Sequence, residues 1–334
     1  MDIQTKIQNL PKYKITLEIK AAINHYFQNK GYLQIDLPVL SPALIPESYL
    51  EIFETEFRYL DMKKKLYLTP SPELFLKRLI GQGIGNCYYL GKTFRNSEPN
   101  SSLHLPEFTM LEFYKVGVGY KDLATEILEL LRYIARCISG SAYSFIYQGE
   151  KISLARWEEL TLAEAFARYS GISGSDLFVE DKFLQKAKTK GYNTSGFSYE
   201  DIFSQIIAQE IEPNLGKNGY PTMVYDFPPK MASLAKLSPD KKIAERMEFY
   251  IDGKEIGGCC TEADNWREYK SRIARHMKKR KEMGSINHKV DNEFVEAIKD
   301  GFPPCTGAGI GVDRLAMIFA NAKSIGELKL IEVS

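Results

Sequence analysis

The chain has 334 residues, 44% of them hydrophobic and 26% charged, and its formal net charge is +1. This composition predicts a packed globular core and excludes a strongly basic protein that binds nucleic acid through net charge alone. The five cysteines follow no disulfide-like or zinc-like spacing, which indicates reduced thiols in a cytoplasmic protein. No basic leader precedes an apolar run and no stretch of about 18 apolar residues occurs, so we expect neither a signal peptide nor a membrane span.

The N-terminal part of the chain predicts a helix, a β-rich stretch and a second helix. Apolar residues recur at helical spacing over 13–29, and Gly31 suits the left-handed residue that follows a helix. β-forming side chains dominate residues 51–69. Residues 72–79 predict a short helix with Ser71 as its N-cap.

The rest of the chain alternates strands with helices. Strands are predicted at 87–90 and 109–114, on either side of a loop that contains Arg95, and again at 222–227 and within 245–256. Helices are predicted at 121–139, over much of 160–213, at 265–283, at 291–300 and from Val312 onward. Helices packed around a mainly antiparallel sheet place the chain in the α+β class.

Two arginine motifs carry the strongest functional signal. The first is Thr93-Phe94-Arg95-Asn96, followed by His104 and by the run Pro106-Glu107-Phe108-Thr109-Met110-Leu111-Glu112. The second is Gly309-Ile310-Gly311-Val312-Asp313-Arg314. An arginine fork stays charged and donates two parallel hydrogen bonds to a phosphate, so paired arginine motifs fit a nucleotide site. Together they resemble motifs 2 and 3 of the class II aminoacyl-tRNA synthetases.

The resemblance implies an ATP-dependent activation of an amino acid. In that family the motif 2 arginine, here Arg95, contacts the α-phosphate, and the motif 3 arginine, here Arg314, lies toward the γ-phosphate. We therefore expect these two arginines to be the catalytic residues. Phe108 matches the aromatic side chain that stacks on adenine, and His104 matches a position near the outer phosphates.

Acidic residues complete the implied ATP site. Motif 2 usually has a glutamate two residues after its arginine, but Ser97 stands there, so we expect Glu98 to bind ATP through a shifted register. Two short strands joined by a turn at Asp252-Gly253 would bring Glu248 and Glu255 together. Carboxylate oxygens are suitable magnesium ligands, and the two positions match the Mg²⁺ ligands of the class II enzymes.

Several segments resemble the lysyl-tRNA synthetase catalytic core in particular. They include Ser71-Pro72-Glu73, Lys77-Arg78-Leu79 and the motif 3 sequence. In that family buried carboxylates bind a cationic substrate, as expected for a site whose acids need a partner. The resemblance places Glu73 near the α-amino group of the substrate. The other implied residues of the amino-acid site are Ser71, Glu112, Tyr114, Gly258, Glu262 and Gly309.

One branch of that family fits the chain best. The segments 212–217 and 225–229 resemble the lysyl-tRNA synthetase paralogues that attach lysine or (R)-β-lysine to a lysine side chain of elongation factor P. About a dozen residues precede the first predicted helix, so we expect one catalytic domain over 1–334, no anticodon-binding OB domain and no anticodon recognition. Motif 1 falls at about 15–38, motif 2 at about 88–114 and motif 3 at about 305–320, and motif 1 implies a homodimer.

Four positions depart from the pattern of this branch. Gly258 replaces a usual asparagine, and Cys259-Cys260 follow it in place of a glycine and an aromatic residue, so we expect a roomier and less polar pocket floor. Gly309 stands where the ligase branch often has alanine, and the smaller residue leaves space for an ordinary α-amino acid. The identity of the amino acid therefore stays open between α-lysine, (R)-β-lysine and another amino acid.

Two further functions stay open. An amino-acid-activating enzyme with another acceptor (a small amine, a carrier protein or a tRNA) is compatible with the departures above. A noncatalytic regulatory paralogue is the third possibility, although a sensor has no need to keep both arginines and the pair Glu248 and Glu255.

Three other features are interpreted as structural. Of two adjacent cysteines on a strand, one packs inward, so Cys259 and Cys260 are interpreted as packing residues rather than ligands. His25, His276 and His288 are interpreted as surface residues. The basic residues of the helix predicted at 265–283 are interpreted as a solvated face, with binding to an acidic partner as the alternative.

Overall fold

A central eight-stranded sheet organises the chain. The computed structural model describes residues 2–96, 101–299 and 301–333. The strand order in the sheet is β10-β11-β12-β13-β14-β7-β6-β2, and all neighbours are antiparallel except the two edge pairs β10/β11 and β2/β6. Helices flank this sheet, so the α+β prediction is confirmed.

The strands are, in chain order, β1 (Ile3–Thr5), β2 (Leu33–Gln34), β3 (Leu40–Ser41), β4 (Glu54–Tyr59), β5 (Met62–Leu68), β6 (Cys87–Phe94), β7 (Glu107–Val116), β8 (Ser144–Tyr147), β9 (Glu150–Ser153), β10 (Glu158–Thr161), β11 (Thr222–Phe227), β12 (Ala244–Ile251), β13 (Lys254–Thr261), β14 (Cys305–Gly311) and β15 (Ile331–Val333). The smaller sheets pair β1 with β15, β8 with β9, and β5 with both β3 and β4.

The α-helices are α1 (Leu10–Asn29), α2 (Glu73–Gly81), α3 (Tyr120–Ser139), α4 (Leu162–Tyr169), α5 (Gly174–Leu177), α6 (Glu180–Thr189), α7 (Tyr199–Ile206), α8 (Trp266–Glu282), α9 (Asn292–Lys299) and α10 (Val312–Phe319). Within the described ranges no helix has the length and apolar character needed to cross a membrane.

The two long helices α1 and α3 pack on the same side of the sheet. Their apolar faces, including Ile23, Phe27 and Ile127, join the buried faces of the central strands and of α10 in the largest core cluster. The helical spacing predicted over 13–29 is confirmed, and Gly31 adopts a left-handed φ of 76° directly after the helix. This layer holds α10, and with it the motif 3 arginine, against the sheet.

A second and a third core cluster cover the remaining faces. Helices α4 to α7 pack on β10 and β11 around Phe166 and Phe203. Helices α2, α8 and α9 pack together around Leu76 and Tyr269, and this third cluster also includes Tyr114 of β7. The sheet surface between these two clusters is therefore bordered by α2 and α8.

The start of α2 differs from the predicted one. The helix begins at Glu73, and Pro72 rather than Ser71 occupies the N-cap position. Proline lacks a side-chain acceptor, and the Ser71 hydroxyl approaches the Glu73 backbone nitrogen at 3.4 Å from one residue earlier. The result is a first turn that carries Glu73, whose charge suits the positive end of the helix dipole.

Candidate active site

A single cavity of about 640 Å³ collects the predicted site residues. Its floor is formed by β7, β12, β13 and β14, and its walls by α2, α8 and the segment before β4. The predicted residues on its wall are Ser71, Glu73, Arg95, His104, Phe108, Glu112, Tyr114, Glu248, Glu255, Gly258, Glu262, Gly309 and Arg314. Glu98, predicted to bind ATP, lies outside the described residues, as does Ser97.

Arg314 links the two arginine motifs. It is the third residue of α10, and its Nε donates to the Leu103 carbonyl oxygen at 3.1 Å. Nη1 donates to the Glu255 carbonyl oxygen at 2.9 Å, and Nη2 lies 2.6 Å from His104 Nε2. The neighbouring Asp313 is buried and accepts a hydrogen bond from the Thr109 backbone nitrogen at 2.5 Å. The start of α10 is therefore held against both β7 and the motif 2 loop.

Arg95 and Phe108 lie together at the other side of the motif 2 hairpin. Arg95 directly follows β6, and its backbone nitrogen donates to the Pro106 carbonyl oxygen at 2.9 Å. Phe108 is on β7 opposite Thr93, and the Arg95 guanidinium carbon is 5.3 Å from the centroid of the Phe108 ring. This contact is a cation–π pair that holds a guanidinium beside an aromatic face.

Two glutamates face each other on the β12–β13 hairpin. Asp252 and Gly253 both have positive φ, as a two-residue hairpin turn requires, so the predicted turn is confirmed. Glu255 pairs with Tyr250, and Tyr250 and Glu248 share one face of β12. Burial and the nearby charge of Glu248 raise the pKa of Glu255. Repulsion of this kind is relieved when a cation joins the two carboxylates.

Each oxygen of Glu248 has a partner within the protein. Arg246 Nη2 donates to Oε1 at 2.7 Å, and the Tyr250 hydroxyl donates to Oε2 at 2.6 Å. Arg246 also donates to the Met231 carbonyl oxygen at 2.9 Å. These contacts fix the direction of the carboxylate, as supporting residues do for a side chain that binds a metal ion.

A buried lysine pairs with two carboxylates at the opposite end of the cavity, and a third carboxylate lies in the same cluster. The Nζ atom of Lys77 lies 2.5 Å from Glu73 Oε1 and 2.6 Å from Glu262 Oε2. Lys77 has 1% of its side chain exposed, and Glu262 has 5%. The third carboxylate, Glu112, is buried and accepts a hydrogen bond from the Tyr114 hydroxyl at 3.0 Å.

The acids of this cluster hold their protons more tightly than acids in water. Burial raises the pKa of Glu262 to about 7, although the attraction of Lys77 opposes the shift. Burial and the charge of Glu73 raise the pKa of Glu112 well above its usual value, against the hydrogen bond from Tyr114. A ligand with ammonium groups would therefore replace protons at these oxygens and stabilise the ionised carboxylates.

The glycines of the cavity floor differ in how much space a side chain would find there. A Cβ atom on Gly258 would lie 2.9 Å from the Met247 carbonyl oxygen, and one on Gly307 would lie 2.5 Å from the Tyr114 ring. The backbone at Gly258 is therefore tightly packed against the neighbouring strand, and the expectation of a roomier and less polar floor stays a prediction. A Cβ atom on Gly309 would meet no heavy atom within 4 Å, so space is open at that position.

Cys259 and Cys260 point to opposite sides of β13, as predicted. Cys259 is buried, and its thiol lies 3.7 Å from the Tyr120 carbonyl oxygen. Cys260 is half-buried on the cavity wall, and its thiol lies 3.8 Å from Glu262 Oε1. Among the described residues no group of three or more histidine, cysteine or acidic side chains is arranged to hold a metal ion by itself.

Two of the three histidine predictions are wrong. His25 is exposed, but His288 is buried and His276 is half-buried on the cavity wall. His276 Nδ1 lies 2.7 Å from the Ser48 hydroxyl oxygen. Burial and the charge of Arg275 lower the pKa of His276 to about 4, so the ring is neutral near pH 7. Both side chains pack where α8 and the chain after it meet the segment before β4, a long-range contact without a local sequence pattern.

The basic residues of α8 are not all on a solvated face. Arg272 and Arg280 are buried and donate to backbone carbonyl oxygens, for example to Ala235 at 2.6 Å and to Glu47 at 2.9 Å. Lys279 lies on the cavity wall and donates to the Tyr49 hydroxyl at 2.6 Å. The prediction of a solvated face is wrong for these residues, because they connect α8 to loops whose carbonyl groups lack other donors.

Sequence reasoning gave no role to three charged residues at the cavity, of which Arg246 and Glu47 line it and Lys77 pairs with two of its lining residues. Lys77 is four residues after Glu73 on one helix, and Arg246 is two residues before Glu248 on one strand, so their spacing could have indicated both contacts. Glu47 lies on an irregular segment, and burial and the charge of Glu73 raise its pKa. No periodic pattern could have placed that residue in the cavity.

Comparison with known proteins identifies the family. Residues 3–330 match the family model described as tRNA synthetases class II (D, K and N). The chain therefore belongs to the class II tRNA synthetase family.

The curated relatives are more specific. A protein of Vibrio cholerae serotype O1 is 35% identical over 302 residues, which cover 89% of this chain and 87% of the relative. A protein of Avibacterium paragallinarum is 32% identical, covering 93% of this chain and 92% of the relative. A protein of Buchnera aphidicola is 34% identical, covering 92% of this chain and 90% of the relative. All three are named elongation factor P–(R)-β-lysine ligase.

Proposed function

We propose that this protein is an ATP-dependent ligase that activates lysine or (R)-β-lysine as an aminoacyl-adenylate and transfers it to a lysine side chain of elongation factor P. The observation that carries the proposal is the division of one cavity into two ends. One end presents Arg95 and Arg314 with the pair Glu248 and Glu255, and the other presents a carboxylate cluster that includes Glu262. Relatives of matching length carry the name of this activity.

The first step is the attack of the amino-acid carboxylate on the α-phosphorus of ATP. A P–O bond to the carboxylate forms, the bond to the β,γ-pyrophosphate breaks, and pyrophosphate leaves with the electron pair. Arg95 and Arg314 would stabilise the charge that develops on the phosphate oxygens. Hydrogen bonds hold the Arg314 fork in place before the substrate arrives, and the Arg95 guanidinium lies over the Phe108 ring. Phe108 would give adenine an apolar face to stack on, with the Arg95 guanidinium beside it.

Glu248 and Glu255 are suited to hold the Mg²⁺ that accompanies ATP in this family. They are two hard oxygen donors, and Arg246 and Tyr250 orient Glu248. Burial, together with the charge of Glu248, raises the pKa of Glu255. When bound, the ion would neutralise part of the phosphate charge and leave the arginines to position the α-phosphorus. Mg²⁺ therefore belongs to the proposal together with ATP.

The amino-acid end favours a substrate with two ammonium groups. Glu73, on the first turn of α2, would accept from the amino group near the carboxylate, while Glu262 and Glu112 would accept from the side-chain ammonium. Ser71 and Tyr114 supply hydroxyl groups at the same wall. The open space at Gly309 leaves room for either an α-amino or a β-amino arrangement of the backbone.

The second step transfers the acyl group to an amine of the acceptor. The unprotonated lysine ε-amine of elongation factor P would attack the adenylate carbonyl, forming an amide and releasing AMP, while the amine proton passes to solvent or to a nearby base. The acceptor follows from the names of the relatives. The proposal includes a cytoplasmic homodimer built from one catalytic domain over residues 1–334, with no anticodon recognition.

The dimer part of the proposal rests on motif 1 and is compatible with exposed apolar residues on β2, β3 and the β4–β5 turn. Leu33 and Leu40 are 51% and 45% exposed, and Tyr59 and Leu60, at the β4–β5 turn, are 62% and 87% exposed. Exposed apolar side chains are often covered by a second protein when they form one patch. Analytical ultracentrifugation tests this part on its own, and a monomer at all concentrations would remove it.

ATP–pyrophosphate exchange with a panel of amino acids tests the activation step. The panel contains α-lysine, (R)-β-lysine, ornithine, arginine and the neutral lysine analogue norleucine. Exchange that depends on one of the lysines supports the proposal. Exchange with an unrelated amino acid would instead show that the enzyme activates a different substrate. Absence of exchange with the whole panel, in a folded protein that binds ATP, would favour the regulatory paralogue.

A further inference from the structure

The buried lysine of the amino-acid end is the feature that the proposed reaction does not explain. Lys77 follows Glu73 by four residues on α2, so both project from one face of the helix. Its Nζ atom also reaches Glu262, which directly follows β13. Because Nζ is 2.5 Å and 2.6 Å from the two oxygens, it fixes one oxygen of each carboxylate. Oε1 of Glu262 has the weakly donating Cys260 thiol 3.8 Å away.

A lysine at this position stays charged in spite of its burial. Burial acts to lower the pKa of Lys77, but the attraction of Glu262 and Glu73 exceeds that effect, so the pKa lies well above its usual value. The other titratable groups that interact with it are Tyr269 of α8, Cys260 of β13, Glu112 of β7, Cys305 of β14 and Glu47. A fixed positive charge is therefore paired with two carboxylates that line the cavity, although the expected ligand is also positive, and this arrangement needs a reason beyond simple attraction of the ligand.

The charge balance of the cluster supplies that reason. Glu73, Glu112 and Glu262 line the cavity together with Glu47, which interacts electrostatically with Glu73 and Lys77 and also with Arg95 and Arg246. Lys77 is the cation paired with Glu73 and Glu262, and its single positive charge does not balance all the carboxylates of the cluster when they are ionised. A buried charge without a partner is costly, so the empty cluster must hold protons and the filled cluster must receive cations.

We propose that Lys77 is a positioning residue that orients Glu73 and Glu262 and lowers the negative charge of the amino-acid pocket. The ionised carboxylates are then available to the ammonium groups of the ligand at a lower pH than they would be without Lys77. This inference rests on the proposed function and deepens it, because it assigns the pH range of substrate binding to a residue that pairs with the carboxylates of the pocket.

The consequence for proton balance can be measured. Removing the charge of Lys77 leaves three neighbouring carboxylates without a fixed cation, so their pKa values rise and the pocket takes up a further proton. Lysine then has to displace more protons, and its binding requires a higher pH. A role in packing alone would weaken binding or stability without moving the pH at which binding improves.

The test compares Lys77→Met with Lys77→Arg by lysine-dependent pyrophosphate exchange between about pH 6 and about pH 9. We expect Lys77→Met to raise the KM for lysine about tenfold or more near neutral pH, with the KM for ATP changed by less than about twofold. In the plot of kcat/KM for lysine against pH, the low-pH side, here called the acid limb, should move to a pH about one unit higher. Lys77→Arg, which keeps the charge, should keep the acid limb of the wild type.

Lys115→Met is the matched control. Lys115 lies 2.5 Å from the buried Glu126 but is not on the cavity wall, so its loss removes a comparable ion pair without touching the pocket. We expect the acid limb and the lysine KM of this variant to equal those of the wild type. If Lys77→Met does not give a cooperative melting transition, Lys77→Gln replaces it with the same expected shift.

The outcomes separate this inference from the proposed function. If the wild type shows no lysine-dependent exchange, the proposed function fails and no comparison of variants is made. If the wild type activates lysine but a folded Lys77→Met or Lys77→Gln variant keeps the wild-type acid limb, the charge-setting role of Lys77 is wrong. An equal upward shift in Lys77→Arg would also overturn it, because that variant retains the positive charge.

Discussion

Replacing Arg314 with alanine tests the assignment of the motif 3 arginine. In the free protein the guanidinium is already fixed by the Leu103 and Glu255 carbonyl oxygens and by His104. No reorganisation is therefore needed when charge develops on the phosphates. A preorganised donor of this kind is worth about 3 kcal/mol in the transition state, so we expect kcat/KM for pyrophosphate exchange to fall by about two orders of magnitude.

The same substitution also affects stability, and the two effects need separate measurements. The guanidinium gives up two hydrogen bonds to carbonyl oxygens, but its side chain is 22% exposed, so water replaces part of what is lost. We expect the free energy of unfolding to fall by about 1–2 kcal/mol. Chemical denaturation of the variant measures this loss, and the exchange assay is run well below the temperature at which the variant melts.

Arg132→Ala is the control for the Arg314 experiment. Arg132 also donates to two backbone carbonyl oxygens, those of Leu154 and Ala155, at 2.7 Å and 2.6 Å, but it does not line the cavity. We expect a similar loss of stability with unchanged exchange kinetics. Exchange by a folded Arg314→Ala variant at a rate within about threefold of the wild type would refute the assignment of this arginine to the phosphates.

Three further predictions concern the amino-acid end. Glu262→Gln should raise the KM for lysine by at least about tenfold. The KM for ATP should stay nearly unchanged, because Glu262 lies at the end of the cavity away from Arg95 and Arg314. Equal changes in both constants would contradict this prediction. Because burial raises the pKa of Glu262 to about 7, and a carboxyl group must be ionised to accept from an ammonium, lysine affinity in the wild type should increase as the pH rises through 7. A calorimetric titration series that shows constant affinity from about pH 6 to about pH 8 would refute that dependence. Gly309→Ala places a methyl group in open space, so the variant should fold normally. It should change the ratio of the pyrophosphate-exchange rates measured with α-lysine and with (R)-β-lysine. An unchanged ratio would show that this position is remote from the substrate backbone.

Much of the fold follows from local patterns in the sequence. The helical spacing of α1, the β-forming residues of β6 and β7, and the Asp252-Gly253 turn each depend on neighbours within a few residues, and the structure has all of them. The α+β class follows from the order of these elements. The helix start at Glu73 was predicted less well, because Pro72 and Ser71 are both acceptable near a helix N-terminus.

The long-range contacts of the site could not be predicted in the same way. The burial of Arg280 depends on how α8 meets the segment before β4, about 230 residues away in the chain. The burial of Arg272 depends on the approach of α8 to the carbonyl oxygens of Ser233 and Ala235. The tight packing at Gly258 could not be predicted, because the size of a residue does not reveal how close the neighbouring strand lies. Only the family resemblance brought Arg95, Glu248 and Arg314 together before the structure did.

The most direct test of the account is the intact mass of elongation factor P after incubation with this protein, ATP, Mg²⁺ and one lysine isomer. We expect a mass increase equal to one lysyl residue, located on a single acceptor lysine and absent when ATP is omitted. The Arg314→Ala variant, at the same concentration, should give a much slower increase. An unmodified factor, together with lysine-dependent pyrophosphate exchange by the same preparation, would contradict the proposed acceptor, and transfer to tRNA instead would replace it.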